Sequence, residues 1–218
     1  MTDTAVARPD RAEPARRLTR FGHLTIEYDE RVLRPRSWTA RQSVWAADLL
    51  QEAPPGPVLE LCCGAGHIGL LAVAASERRL VCLDTDPVAC GFAGLNARRA
   101  GISGRVDVVE ADLDSLMPLD QRFAMVLADP PYLRSADTRR FPDDPLSAID
   151  GGPDGMRLVW PCLDVVREWL LPEGSALLQL HSAEQARRVS DALDADGDLS
   201  VLEWRSLGRG VVARIGRP

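Results

Sequence analysis

No lysine occurs among the 218 residues, so all 26 basic side chains are arginine. We take this absence as the imprint of a GC-rich genome, without functional content. No positive excess exists either. The net charge is −6, which removes a global electrostatic pull toward nucleic acid. No apolar run approaches the ~20 residues of a membrane helix. The opening MTDTAVARPDRAEPARR lacks the apolar core of a secretory signal and mixes acids with arginine and proline. It reads as a disordered tail over residues 1–20 of a cytoplasmic protein. Zinc-type spacing is missing. His23, His67 and His181 are scattered, and Cys62, Cys63, Cys82, Cys90 and Cys162 form no ligand pattern, so the thiols read as buried and reduced. There are no internal repeats.

What is present is a regular alternation of apolar runs and helical segments. His23 to Leu33 alternates Leu24, Ile26 and Tyr28 ahead of Asp29-Glu30, which predicts a small hairpin. Ser37 then stands as N-cap of a helix over residues 38–52, ended by Pro54-Pro55-Gly56-Pro57. The predicted organisation is a hairpin and helix over 21–53 and one domain over 54–218. In the latter, short buried strands at Val58–Leu61, Leu80–Leu83, Arg105–Val109, Phe123–Ala128 and Ser175–Leu180 alternate with helices. Asp86 reads as the cap of the helix that begins at Pro87. Two final strands, Leu199–Trp204 and Gly210–Ile215, complete a doubly wound α/β sheet, mostly parallel, with an antiparallel strand near the C-terminus. Residues 133–155, rich in Pro, Gly, Asp and Arg, are the longest irregular stretch and read as a lid or binding loop.

The chain is organised around VLELCCGAGHIG. A strand, Val58–Leu61, runs into Gly64, Gly66 and Gly69 at the spacing G-x-G-x-x-G, and then into a helix. Glycine suits a sharp turn where backbone approaches a ligand. A second strand ends in Asp84, twenty positions after Gly64, where an acid can grip ribose hydroxyls. A third ends in Asp129-Pro130-Pro131-Tyr132. Ligands of open α/β sheets sit at the carboxyl ends of strands, and Glu60, Asp84, Asp112 and Asp129 all fall there. Arg134, Arg139 and Arg140 follow the Pro-Pro-Tyr turn as a local basic group.

These three pieces in this order resemble the class I S-adenosylmethionine methyltransferases, in the N-methylating branch marked by Asn/Asp-Pro-Pro-Tyr. RVLRPRSWTA, LELCCGAGHIGL, LDTDPVACGFAGLNARRAGI, ADPPYL and LSAIDGGPDGM together resemble the HemK/PrmC-like protein glutamine N5-methyltransferases, over roughly Phe21 to Pro218. The resemblance implies a Rossmann-like methyltransferase fold with S-adenosyl-L-methionine as cofactor. Glu60 is expected near its ammonium and sulfonium end, Asp84 at the ribose, and Asp112 at the adenine amino group. Cys62, Gly64, Gly66, Leu113 and Asp129 complete the cofactor set. For transfer, Asp129 and the Pro130 carbonyl are expected to hold the N–H bonds of the acceptor, with Tyr132 packed on its plane. Pro131, Tyr132 and Arg36 are expected to contact the acceptor. Two departures stand out: the family has Asn where this chain has Asp129, and its N-terminal helical domain has no counterpart in this sequence. An amide both donates and accepts, whereas a carboxylate only accepts. Asp at this position is the usual choice in enzymes that methylate base amino groups. The acceptor is therefore a protein glutamine, a small-molecule amine, amide or guanidine, or a nucleic-acid base. The alternatives outside methyl transfer are a dinucleotide oxidoreductase and a binding module.

Overall fold

The structure is a computed structural model that describes residues 14–113 and 121–218. Its core is a seven-stranded sheet. Strands β3 (Val58–Leu61), β4 (Leu80–Asp84), β5 (Val106–Glu110), β6 (Phe123–Ala128), β7 (Leu170–Leu180), β8 (Ser200–Leu207) and β9 (Gly210–Gly216) lie in the order β5-β4-β3-β6-β7-β9-β8. Strand β9 runs antiparallel to both of its neighbours, and the remaining pairs are parallel. The doubly wound sheet with an antiparallel strand near the C-terminus is as expected. The order reverses beside β3, and an open sheet places its ligand crevice at such a reversal.

Two cores follow from the period-2 alternation of buried strands. Val58, Leu80, Cys82, Met125 and Leu127 face helices α1 (Ala40–Leu49), α2 (His67–Val73) and α3 (Pro87–Arg99). Leu59, Leu61, Val81, Leu83 and Val126 face the other way. There they meet α5 (Val159–Trp169) and α6 (Ala183–Asp196). Both faces being covered explains why the central strands read as continuous apolar runs.

Helix ends follow local chemistry. The Asp86 carboxylate accepts from Val88 N at 2.8 Å, capping α3 with Pro87 at its first position. Ser182 accepts from Gln185 N and caps α6. At the start of α1 the structure differs from expectation. Ser37–Thr39 forms a short 3₁₀ turn without a Ser37 cap, and Thr39 Oγ1 instead donates to the Arg36 carbonyl at 2.9 Å.

The expected tail meets its limit at the N-terminus: residues 1–13 lie outside the described residues, but Arg17–Phe21 forms strand β1. It pairs antiparallel with β2 (Leu24–Tyr28), so the hairpin turns at Gly22-His23 rather than at Asp29-Glu30. Nor is the hairpin a separate layer. Phe21, Leu24 and Ile26 join the α2–α3 core, and Asn96 exchanges bonds with Glu27 (2.8 and 3.0 Å) while also donating to Ala65 O. Among the described residues no helix is long and apolar enough to cross a membrane.

Candidate active site

The register of the sheet assembles the site. Leu61 of β3 pairs with Leu83 of β4 and with Ala128 of β6. The chain therefore leaves three adjacent parallel strands side by side, at Cys62, Asp84 and Asp129. Cys62 turns the chain at φ 54°, an uncommon conformation for a residue with a Cβ, and Gly64 follows at φ 53°. The Gly64 amide donates to Asp84 Oδ2 at 2.8 Å, and the Asp86 amide donates to Oδ1 at 3.0 Å. Each carboxylate oxygen of Asp84 thus has one lone pair committed and further acceptor capacity toward the crevice. Burial raises the pKa of this carboxyl, against the lowering effect of those amides.

Two cavities open from these strand ends. The first holds about 930 Å³ of empty space, the open solvent at its mouth included. Cys62, Gly64, Asp84, Asp112, Leu113 and Asp129 line it. The second is of similar size, about 920 Å³, and is lined by Arg36, Pro130, Pro131, Tyr132 and Asp129. Asp129 and Pro131 belong to both linings.

Asp129 makes no hydrogen bond or ion pair among the described residues, and burial pushes its carboxyl up to about 7. No hydrogen bond engages the Pro130 carbonyl among the described residues either. The Tyr132 ring stacks on His181 with centroids 6.0 Å apart and planes at 19°. Burial raises the pKa of its phenol, which stays neutral.

The loop over residues 133–155 is more ordered than its composition predicts. It contains a 3₁₀ turn, Ser135–Arg140, and the short helix α4, Leu146–Ile149. Its glycines press on the signature turn. A Cβ at Gly151 would lie 2.6 Å from the Pro131 carbonyl oxygen, and one at Gly155 would lie 2.3 Å from that of Tyr132. Gln185 Nε2 bonds the same Tyr132 carbonyl at 3.1 Å. The Gly-Gly-x-Asp-Gly pattern is thus a backbone clamp on Pro-Pro-Tyr.

Two residues expected at the cofactor stand elsewhere. Glu60 shares the face of Val58 and points beneath α2. It bonds the Gly69 backbone and the Cys82 thiol (3.5 Å), is 2% exposed, and lines neither cavity. Burial pushes its carboxyl up to about 8, and its bonds to the Gly69 backbone and the Cys82 thiol hold it under the glycine turn. Gly66 also lines neither cavity. At φ 75° it lets α2 approach α3, where a Cβ would lie 3.1 Å from Ala93 Cβ. Arg134 and Arg140 flank Asp137 in exposed ion pairs outside both linings, and Arg139 is exposed beside them.

The structure also adds residues that the sequence did not single out. His67 lines the first cavity with a buried Nδ1 that has no hydrogen-bond partner among the described residues, and burial pulls its pKa down to about 4. Trp38, Phe141, Asp144, His181 and Arg209 line the second.

Comparison with known proteins fits this geometry. Residues 43–141 match the family model "Methyltransferase small domain". The chain is 33% identical over 188 residues to a release factor glutamine methyltransferase of Mycolicibacterium smegmatis, covering 83% of this chain and 64% of that one. It is 31% identical over 184 residues to a ribosomal protein uL3 glutamine methyltransferase of Burkholderia pseudomallei, covering 77% and 60%. The chain is similar to the HemK/PrmC-like class I methyltransferases. Less than two thirds of the length of either relative is spanned. In fold, the chain superposes on a ribosomal protein L11 methylase from Lactobacillus delbrueckii subsp. bulgaricus. The TM-score is 0.63 at 14% identity, covering 85% of this chain and 81% of that one.

Proposed function

We propose that this chain transfers the methyl group of S-adenosyl-L-methionine to the side-chain amide nitrogen of a protein glutamine. The observation that carries this is the shared wall: Asp129 and Pro131 line both cavities at the end of β6. The relatives named as glutamine methyltransferases support the acceptor class.

The first cavity fits the donor. Asp84 offers two carboxylate oxygens with spare acceptor capacity, which suits a ribose diol. Ile68, Leu83, Ala89 and Leu113 supply apolar walls for a flat base. When bound, the donor supplies a methyl group on positively charged sulfur, open to in-line displacement.

The chain's own residues then have to aim a poor nucleophile, since the lone pair of an amide nitrogen is delocalised. Two acceptors in reach, on Asp129 and at the Pro130 carbonyl, can hold its two N–H bonds and turn the lone pair toward the first cavity. Positioning of this kind is worth several kcal/mol of barrier. Proline and the glycine clamp keep that carbonyl in place. Tyr132 offers a ring face to the planar amide. The nitrogen bonds the methyl carbon, the sulfur–carbon bond breaks, and the product sheds one N–H proton to water.

Burial also addresses the replacement of the family Asn by Asp129. A protonated carboxyl carries one donor and one acceptor, the same pair that an amide side chain presents. Asp129→Ala tests the reading: affinity for S-adenosyl-L-methionine should stay within about 3-fold while turnover falls at least about 100-fold, the scale of losing an essential positioning group. Unchanged turnover would make the Asp-Pro-Pro-Tyr turn purely structural.

A further inference from the structure

The second cavity carries two guanidinium groups with different fates. Arg36 is ion-paired with Asp144, and its Cζ lies 5.7 Å from the Trp38 ring centroid. Arg209 approaches from the turn between β8 and β9. Its Cζ lies 5.4 Å from the same ring, and among the described residues no carboxylate or carbonyl engages it. The turn is held firmly for an exposed segment. Gly208, at φ 75°, packs on Trp38 so closely that a Cβ there would meet Trp38 Cβ at 2.5 Å. Arg209 is therefore a cation aimed across an aromatic shelf into the acceptor cavity, and its charge is not compensated from within. Asp144 is spent on Arg36, and Asp129 lies in the opposite wall, shared with the donor cavity.

We propose that Arg209 determines acceptor specificity by binding a carboxylate carried by the acceptor close to the methylated nitrogen. The Trp38 ring lies 5.4 Å from the Arg209 Cζ, and a cation–π contact of this kind lowers the conformational cost of presenting the N–H groups to an incoming carboxylate. Charge-assisted, bidentate pairing is the geometry at which arginine excels. The proposal rests on the amide-acceptor reading above and refines it. The acceptor is a glutamine with an acidic side chain or a chain-terminal carboxylate within reach.

Peptides test this directly. Hexapeptides with one central glutamine would carry aspartate or asparagine at each flanking position in turn, with either a free or an amidated C-terminus. Transfer of labelled methyl from S-adenosyl-L-methionine gives kcat and KM for each. The expected result is a preference of about 10-fold or more in kcat/KM for a carboxylate at one position, expressed in KM and reduced by added salt. Which peptides show it distinguishes a side-chain acid from a terminal carboxylate. Arg209→Gln should erase the preference, while Arg209→Lys restores part of it. Equal use of acidic and neutral peptides by the native chain, or a preference that survives Arg209→Gln, would overturn the role of Arg209 alone. No transfer to any peptide would overturn the amide acceptor, and this proposal with it.

Discussion

Asp129 is the residue on which the chemistry turns, and its environment sets a pH dependence. Burial pushes its carboxyl up to about 7, so the form with both a donor and an acceptor persists to near neutrality. If that form pairs with the acceptor amide, kcat/KM, which reports the free enzyme, should fall as pH rises through about 7. Asp129→Asn should remain active and lose that inflection. A rise through the same range would mean that the carboxylate is the working form. The stability linkage has the same sign. The folded chain holds this proton between about 4 and 7 while the unfolded chain releases it, so the Asp129 contribution makes stability decline as pH rises across that window. In the proposed reading, Asp84 acts instead on donor binding. Asp84→Ala should weaken affinity for S-adenosyl-L-methionine by about 10- to 150-fold, the equivalent of ~1.5–3 kcal/mol for a charge-assisted bond. It also strands the Gly64 and Asp86 amides. Asp84→Asn, which keeps one acceptor oxygen, should lose less. Calorimetric titration reads both variants, and unchanged affinity would remove the ribose from Asp84.

At the scale of elements, the parallel strands were legible because a strand buried on both faces must be apolar throughout and must stop where it meets polar residues. Strand β6 matches its expected span, Phe123–Ala128, for this reason. The α3 cap at Asp86-Pro87 was legible because capping is local. The true face of Glu60 was available in principle from its two-residue offset to Val58, which places both under α2. What no local pattern carries is the acceptor wall. Trp38 and Arg209 lie far apart in sequence and meet only because the β8–β9 turn folds over the 3₁₀ turn before α1. The loop over 133–155 was misjudged as irregular because its order comes from contacts with Pro131 and Tyr132 rather than from helical or strand period. Those contacts make a prediction. Gly155→Ala, at φ 76° with 2.3 Å to the Tyr132 carbonyl oxygen, should displace the Pro-Pro-Tyr turn. We expect kcat to drop at least about 10-fold with donor affinity kept, since small misplacements of positioning groups cost heavily. A normal kcat would show that the turn holds its place without the clamp.

At the scale of the whole molecule, the sheet order brings two cavities to the end of β6, where both are lined by Asp129 and Pro131. The net charge of −6 gives no long-range attraction for a polyanion, which favours a protein acceptor over a nucleic-acid base. The most direct test is transfer of labelled methyl groups from S-adenosyl-L-methionine into a lysate separated into protein, nucleic-acid and small-molecule pools. The account predicts label in the protein pool, mapping by mass spectrometry to a glutamine side chain and absent with Asp129→Ala. Label confined to the nucleic-acid or small-molecule pool would contradict it.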